Sequence, residues 1–273
     1  MRVRDLPIAG RATRLVWRKR RYRCVDCSRT FTETHEQLPA RRRVTVRFRA
    51  RLAERVVGGA AHAEVAREEH TSRYQVACAL LQADQVEDGE RLAVDLAEEL
   101  TPHARSDHPS LVSVAGALWL IAAIAAARRT DRTEAWARID RADALAGLLG
   151  EDGNHAWTAF GPTNVAIHRV SVAAELGDAG EALHAATAVD LDRLPSGLLS
   201  RRAQVNLDLA WAQAQRRRDA EATLHLLEAE RIAPQVIRHN VIAQEIVREM
   251  LARGNRAQTQ QLSLLARRAG LLQ

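Results

Sequence analysis

Apolar residues recur at helical spacing along most of this chain, and the clearest run lies between Trp157 and Leu183. Trp157, Phe160, Val165, His168, Val172 and Leu176 follow one another at steps of three to five, which places them near one side of an α-helix. Gly177 is suited to close that helix and Asp178 to cap the next, in which Ala182, Ala186 and Val189 continue the apolar pattern. From Asp84 onward the same reasoning predicts helices over 84–100, 109–129, 132–149, 155–176, 179–189, 197–217, 219–232, 236–252 and 257–270. Three of the breaks carry an Asp followed by a small–apolar–small pattern. Asp131 precedes Ala135, Ile139 and Ala142; Asp178 precedes Ala182, Ala186 and Val189; Asp219 precedes Ala222, Leu226 and Ala229. The steps of 47 and 41 residues suit helix pairs with longer linkers than a strict tetratricopeptide period of about 34. Ala222, Leu226, Ala229 and Pro234 stand at tetratricopeptide spacing, with Gln213 where that repeat has a tyrosine.

The pattern changes before residue 83. Residues 2–34 alternate in places (Arg14-Leu15-Val16-Trp17, Tyr22-Arg23-Cys24) and carry turn signals at Pro7 and Gly10, which predicts two short strands flanking RKRRYRCVDCSRTFTE. In residues 37–82, Val46, Ala50, Ala53 and Val57 space as one helix, stopped by Gly58-Gly59. A short helix over Ala63 to Glu69 and a third over Ser72 to Leu81 follow, with His70-Thr71 as the turn between them. The expected fold class is therefore mainly α. A small partial zinc-ribbon-like hairpin (1–36) and a helix-turn-helix (37–82) precede an α-solenoid of tetratricopeptide-like helix pairs (83–273).

Charge sharpens this division. Residues 1–80 hold 19 Arg/Lys against 8 Asp/Glu, a net of +11, while the remainder holds 21 against 26, a net of −5. A basic segment beside a mildly acidic one implies a polyanionic partner, double-stranded DNA, for the first part only. A helix-turn-helix offers the first turn of its last helix to the major groove. That makes Thr71, Ser72, Arg73 and Gln75 the candidate base-facing residues, with Arg41, Arg42, Arg43, Arg47 and Arg51 as candidate phosphate contacts. A generic three-helix bundle with a solvated basic face has the same pattern.

Cys24 and Cys27 have the spacing with which a zinc ribbon supplies half of a tetrahedral site. A second pair is absent, and His35 lies eight residues beyond Cys27. The simpler reading is a remnant or an idle pair, so no cofactor is expected, a zinc ion at an incomplete site being the alternative. Three cysteines (the third is Cys78) make no disulfide framework, and no signal-peptide core opens the chain. The most apolar run, Ala115 to Ala127, is shorter than the ~20 residues of a membrane span and reads as a buried helix. A cytoplasmic protein without a membrane partner is expected. Asn164 and His168, four apart on one helix, are candidates to line a peptide- or ligand-binding groove, against the simpler reading that they pack locally. Trp157, Phe160 and Trp119 are expected in the core. No nucleophile–base pair, Gly-rich phosphate loop or metalloprotease motif appears, so no enzymatic activity is expected.

Two resemblances extend these readings. RVRDLPIAGRATRLVWRKRRYRCVDCSRTFTE, followed by FRARLAERVVGGAAHAEVAREEHTSRYQVA, resembles the N-terminal region of insertion-sequence transposases of the ISL-three group, over roughly residues 2–80. That likeness implies a zinc ribbon with two cysteine pairs leading into a helix-turn-helix that binds the inverted repeats of the element. On the same alignment the upstream cysteine pair falls before Met1, which leaves the zinc site incomplete. The catalytic domain of that family needs carboxylates on a rigid sheet holding two metal ions. No such strand pattern follows residue 82, so strand transfer is not expected.

The second likeness, from about residue 108 to the end, rests on SLVSVAGALWLIAAIAAARRTDRTEAWARIDRADALA and HAWTAFGPTNVAIHRVSVAAELGDAGEAL. These resemble the C-terminal repeat region of actinobacterial XRE-type transcriptional regulators, which implies an array that senses a ligand or mediates self-association. Together the two imply a DNA-binding, regulator-like protein whose helical repeats bind a ligand, a peptide or a protein partner, or form a homodimer. The alternative is a non-catalytic interaction scaffold carrying a truncated transposase remnant.

Overall fold

The computed structural model describes residues 2–8, 11–18, 20–23, 30–33, 35, 37–38, 44–57, 60–69, 71–195, 197–253 and 259–272. The chain forms two compact units, Met1–Leu96 and Ala97–Gln273, and the fold is mainly α with a small antiparallel β element at the N-terminus.

In the first unit β1 (Arg2–Ile8) pairs antiparallel with β2 (Arg11–Val16), and β3 (Arg21–Arg23) pairs with β4 (Thr30–Thr32). The register sets Arg4 opposite Arg14 and Asp5 opposite Thr13. Side chains alternate along β1 and β2: Val3 and Asp5 are buried and Arg4 and Leu6 half-buried, while Arg14 and Val16 are exposed and Thr13 and Leu15 half-buried. The helices α1 (Val46–Val57), α2 (His62–Glu68) and α3 (Arg73–Gln82) pack on one another, and α1 also packs on β1. Phe48, Leu52, Ala53 and Val56 of α1, Val65 and Ala66 of α2, and Val76, Ala77, Ala79 and Leu80 of α3 are buried. The helix α4 (Val86–Leu100) carries the chain across the boundary between the units.

The second unit continues with α5 (Pro109–Arg128), α6 (Arg132–Leu149), α7 (Pro162–Glu175), α8 (Ala179–Ala186), α9 (Leu199–Gln215), α10 (Asp219–Ile232), α11 (Pro234–His239), α12 (Val241–Ala252) and α13 (Thr259–Arg268). Sequence neighbours pair as α5–α6, α7–α8, α9–α10 and α12–α13; α5–α7, α7–α9 and α9–α12 contacts bring the first members of successive pairs together. Ala135, Ile139, Ala142, Ala182, Ala222, Leu226 and Ala229 are all fully buried. Small residues let helix axes approach, and the larger Ile139 and Leu226 fill the space between them. The helix α5 has the length and apolarity of a membrane span, but Val112, Ala115, Leu118, Trp119, Ala122 and Ala126 are among the residues it buries inside the unit.

The three turns within the first pairs share one backbone geometry. Thr130, Gly177 and Arg217 are left-handed, with φ of 61°, 75° and 61°. The next N–H reaches back in each: Asp131 to Ala126 O (2.9 Å), Asp178 to Ala173 O (2.9 Å) and Arg218 to Gln213 O (3.0 Å). These are the six-to-one bonds of a Schellman motif. Asp131 and Asp178 then cap the following helices, accepting from Glu134 N (3.1 Å) and Glu181 N (3.0 Å). Asp219 does not follow suit. Arg218 holds the cap position, and Asp219 enters the first turn of α10, where its Oδ1 accepts from Arg253 Nη1 at 2.9 Å.

Three further expectations are corrected. The helix expected from residue 155 begins only at Pro162, because a proline ring disfavours helical backbone in the residue before it. The preceding segment is non-helical, with Ala156, Trp157 and Ala159 at φ of 49°, 65° and 56°. Trp157, expected in the core, is consequently 69% exposed, whereas Phe160 is fully buried. The helix expected over 236–252 is broken at Asn240, whose Oδ1 caps α12 by accepting from Ala243 N at 3.0 Å.

Candidate nucleic-acid interface and groove residues

Residues 69–72 connect α2 to α3, and the Ser72 hydroxyl accepts a hydrogen bond from Gln75 N at 3.2 Å, capping α3. Thr71 Oγ1 donates to Gln75 Oε1 at 3.0 Å. Ser72 and Gln75 are exposed, while Thr71 and Arg73 are half-buried. The first turn of α3 therefore presents hydroxyl and amide groups on a pre-formed, capped helix start, the chemistry that reads base edges. Arg41, Arg42 and Arg43 lie outside the described residues, as do Cys24 and Cys27.

The arginines of α1 have partners inside the unit. Asp5 is 3% exposed, and its carboxylate accepts from Thr45 Oγ1 (2.9 Å), from Arg47 Nε (2.7 Å) and from Arg47 Nη2. The Arg47 hydrogen bonds outweigh burial and hold the Asp5 carboxyl well below the usual range, at about 2. Thr45 Oγ1 also accepts from Phe48 N at 3.1 Å, so the same constellation caps α1 and ties it to β1. Glu69, also 3% exposed, accepts from Arg51 Nε (2.7 Å) and Arg55 Nη1 (3.1 Å), while Arg55 Nη2 donates to Glu68 at 2.5 Å. Arg4 of β1 donates to the Glu69 carbonyl at 2.8 Å and lies 5.6 Å from the Phe48 ring centroid. Two buried carboxylates thus bind β1, α1 and α2 together. Sequence reading missed both. The available signal was Asp5 on the same strand face as Val3, a carboxylate at a core position.

His35 is exposed, its Nδ1 accepts from Gln37 N at 3.1 Å, and its ring stands edge-on to Trp17 at 6.5 Å. A structural zinc needs four ligands. The candidate ligands Cys24 and Cys27 lie outside the described residues, and among the described residues no group of three or more His, Cys, Asp or Glu is placed to hold a metal. The described residues do not form a complete zinc site.

In the helical unit Asn164 and His168 share one face of α7. His168 Nδ1 bonds the Asn164 carbonyl oxygen at 2.8 Å, so that nitrogen carries the proton. Burial, reinforced by the Arg201 charge, pushes the imidazole down to about 3 and keeps it neutral. Asn164 is 1% exposed, and neither end of its amide has a hydrogen-bond partner among the described residues. Further along the same contact, buried Asp208 of α9 accepts from Ser171 Oγ (2.5 Å) and Gln204 Nε2 (2.7 Å). Asn164, His168, Ser171 and Glu175 on α7, with Arg201, Gln204 and Asp208 on α9, form a polar seam through an otherwise apolar helix contact. Asn164 and His168 are inside this seam rather than on an open groove wall.

The family model described as the zinc-finger of transposase IS204/IS1001/IS1096/IS1165 matches residues 1–27. The match covers β1, β2 and β3 and ends on Cys27. No curated protein and no solved structure matches the chain.

Proposed function

We propose that this chain is a DNA-binding, regulator-like protein of the cytoplasm, without catalytic activity. Its first unit grips duplex DNA, and its helical unit, a tetratricopeptide-like array similar to that of XRE-type regulators, binds a peptide, a ligand or a second copy. The observation that carries the DNA reading is the start of α3. Ser72 caps it, Ser72 and Gln75 are exposed in its first turn, and it sits in a segment of net charge +11. The transposase zinc-finger match over residues 1–27 supports a nucleic-acid partner for the same unit.

The test is fluorescence anisotropy of the full chain with labelled duplex DNA across a salt series. Binding that weakens linearly in log–log form with salt supports the reading, because each phosphate contact releases condensed counterions. Loss of sequence preference at one position in a Gln75→Ala variant would assign Gln75 to base contact. Absence of binding at low salt would leave the interaction scaffold, with a transposase-like segment that no longer engages DNA.

A further inference from the structure

We infer that the exposed arginines of the β hairpins form the phosphate-gripping surface of the first unit, and that Arg47, Arg51 and Arg55 of α1 are internal staples. This rests on the DNA-binding reading and divides its arginines between two jobs.

Three of the four α1 arginines are committed. Arg47 is bonded to Asp5, and Arg51 and Arg55 are bonded to Glu69, both carboxylates being 3% exposed. Withdrawing the guanidinium groups to DNA would leave two buried carboxylates without their main partners, a strongly unfavourable exchange. Arg11, Arg14, Arg18, Arg20 and Arg21 are in the opposite situation. All five are exposed, and none forms an ion pair among the described residues. Residues 1–36 hold ten Arg/Lys against four Asp/Glu, a net of +6. One of those carboxylates, Asp5, is already bonded to Arg47.

A second observation points to an anion. Register places Arg4 directly opposite Arg14, and directly opposed residues share a sheet face. After burial, the nearby Arg14 charge is the next influence lowering the Arg4 pKa. Like charges opposed across a ladder are destabilising, and a phosphate backbone laid along that face relieves the repulsion. The exposed Val16 and Tyr22 sit between the arginines, giving the basic and apolar interleaving that suits a sugar-phosphate surface.

The experiment uses the full chain and a labelled duplex of about 30 base pairs of arbitrary sequence, titrated with NaCl. In the triple variant R14Q/R18Q/R21Q the slope of log K against log salt should fall by about 2–3 in magnitude. Affinity near 0.1 M salt should drop on the order of a hundredfold, with thermal unfolding unchanged. The matched R14K/R18K/R21K variant retains the charges and should keep the wild-type slope, which separates lost charge from a damaged hairpin. Arg51→Gln should lower the unfolding temperature and leave the slope within one contact of wild type. If wild type binds duplex while the glutamine triple variant keeps its slope, the assignment to the hairpin face is overturned and the DNA-binding reading survives. If wild type itself shows no salt-dependent binding, both fall.

Discussion

Replacing Asp208 with asparagine is expected to stabilise the helical unit at and above neutral pH and to remove the contribution of this carboxyl to the pH dependence of stability. Asp208 is buried in the α7–α9 contact, and its carboxyl is pushed up to about 7, chiefly by burial and further by Glu175, against the hydrogen bonds from Ser171 and Gln204. An aspartate in the unfolded chain ionises near pH ~3.9. Below that value both states are protonated and pH has no effect through this group. Between there and about 7 the unfolded state has released the proton while the folded state keeps it. Stability therefore falls as pH rises, by about 1.4 kcal/mol per unit. The span of about three units sets a ceiling of about 4 kcal/mol for the deficit, which is constant once both states are ionised. Asparagine has the same shape: its oxygen can keep the bond from Gln204 Nε2, and its Nδ2 can donate to Ser171 Oγ. Urea unfolding between pH ~5 and ~8.5 measures the effect by tryptophan fluorescence, since four of the five tryptophans (Trp119, Trp136, Trp157, Trp211) lie in this unit. Buried His168, kept neutral down to about 3, makes stability rise with pH up to ~6.5 in both proteins, so the readout is the difference. The midpoint of the variant should gain on that of wild type up to about pH 7 and exceed it by a constant amount above. A variant whose profile runs parallel to wild type, or lies below it at pH ~8, refutes the reasoning.

Asp5→Ala should destabilise the first unit by about 2 kcal/mol, since it strips Thr45 and Arg47 of their buried partner. In wild type the Asp5 contribution is present above pH ~4 and lost as pH falls through about 2, so the thermal midpoints of variant and wild type should converge in acid. Thr130→Gly and Arg217→Gly should each stabilise by about 0.5–1 kcal/mol, because both side chains occupy left-handed backbone. Gly177→Ala at the equivalent turn should destabilise by about 1 kcal/mol, all three being read by urea midpoints. Gly116→Ala would drive a Cβ into the Phe160 ring, so it should destabilise by about 1–3 kcal/mol, and a second change of Phe160→Leu should recover part of the loss.

Helical spacing made the second unit legible: α6 and α10 fall on their expected ranges, and the small–apolar–small positions of their turns are buried. Such signals are local. Periodicity within one helix and a capping Asp a few residues away are visible in a short window. Trp157 was misplaced for a local reason too, since the Gly161-Pro162 pair after it ends the helical pattern, and the apolar spacing was extended through it. The polar seam was harder. Asn164 and His168 stood out as polar residues on an apolar face, but a sequence cannot distinguish a groove wall from a buried helix contact. The partners that decide it are on α9, 37 residues further along in the case of Ser171 and Asp208.

The arginines of the first unit show the same limit in its strongest form. Arg14, Arg18, Arg47 and Arg51 are indistinguishable by type, charge and neighbourhood, and composition assigns all of them to a polyanion. What separates them is tertiary. Arg47 meets a carboxylate 42 residues earlier in the chain, and Arg51 meets one 18 residues later, whereas Arg14 meets another arginine across a ladder. A buried acid converts a cation into a structural tie, and an opposed cation leaves it a site awaiting an anion. The internal pairs take up cations and carboxylates in equal number, so they leave the net charge of +11 unchanged while withdrawing Arg47, Arg51 and Arg55 from the cations that can reach a phosphate. Arg11, Arg14, Arg18, Arg20 and Arg21 stay exposed in the strand segment, whereas three arginines of α1 are tied to carboxylates.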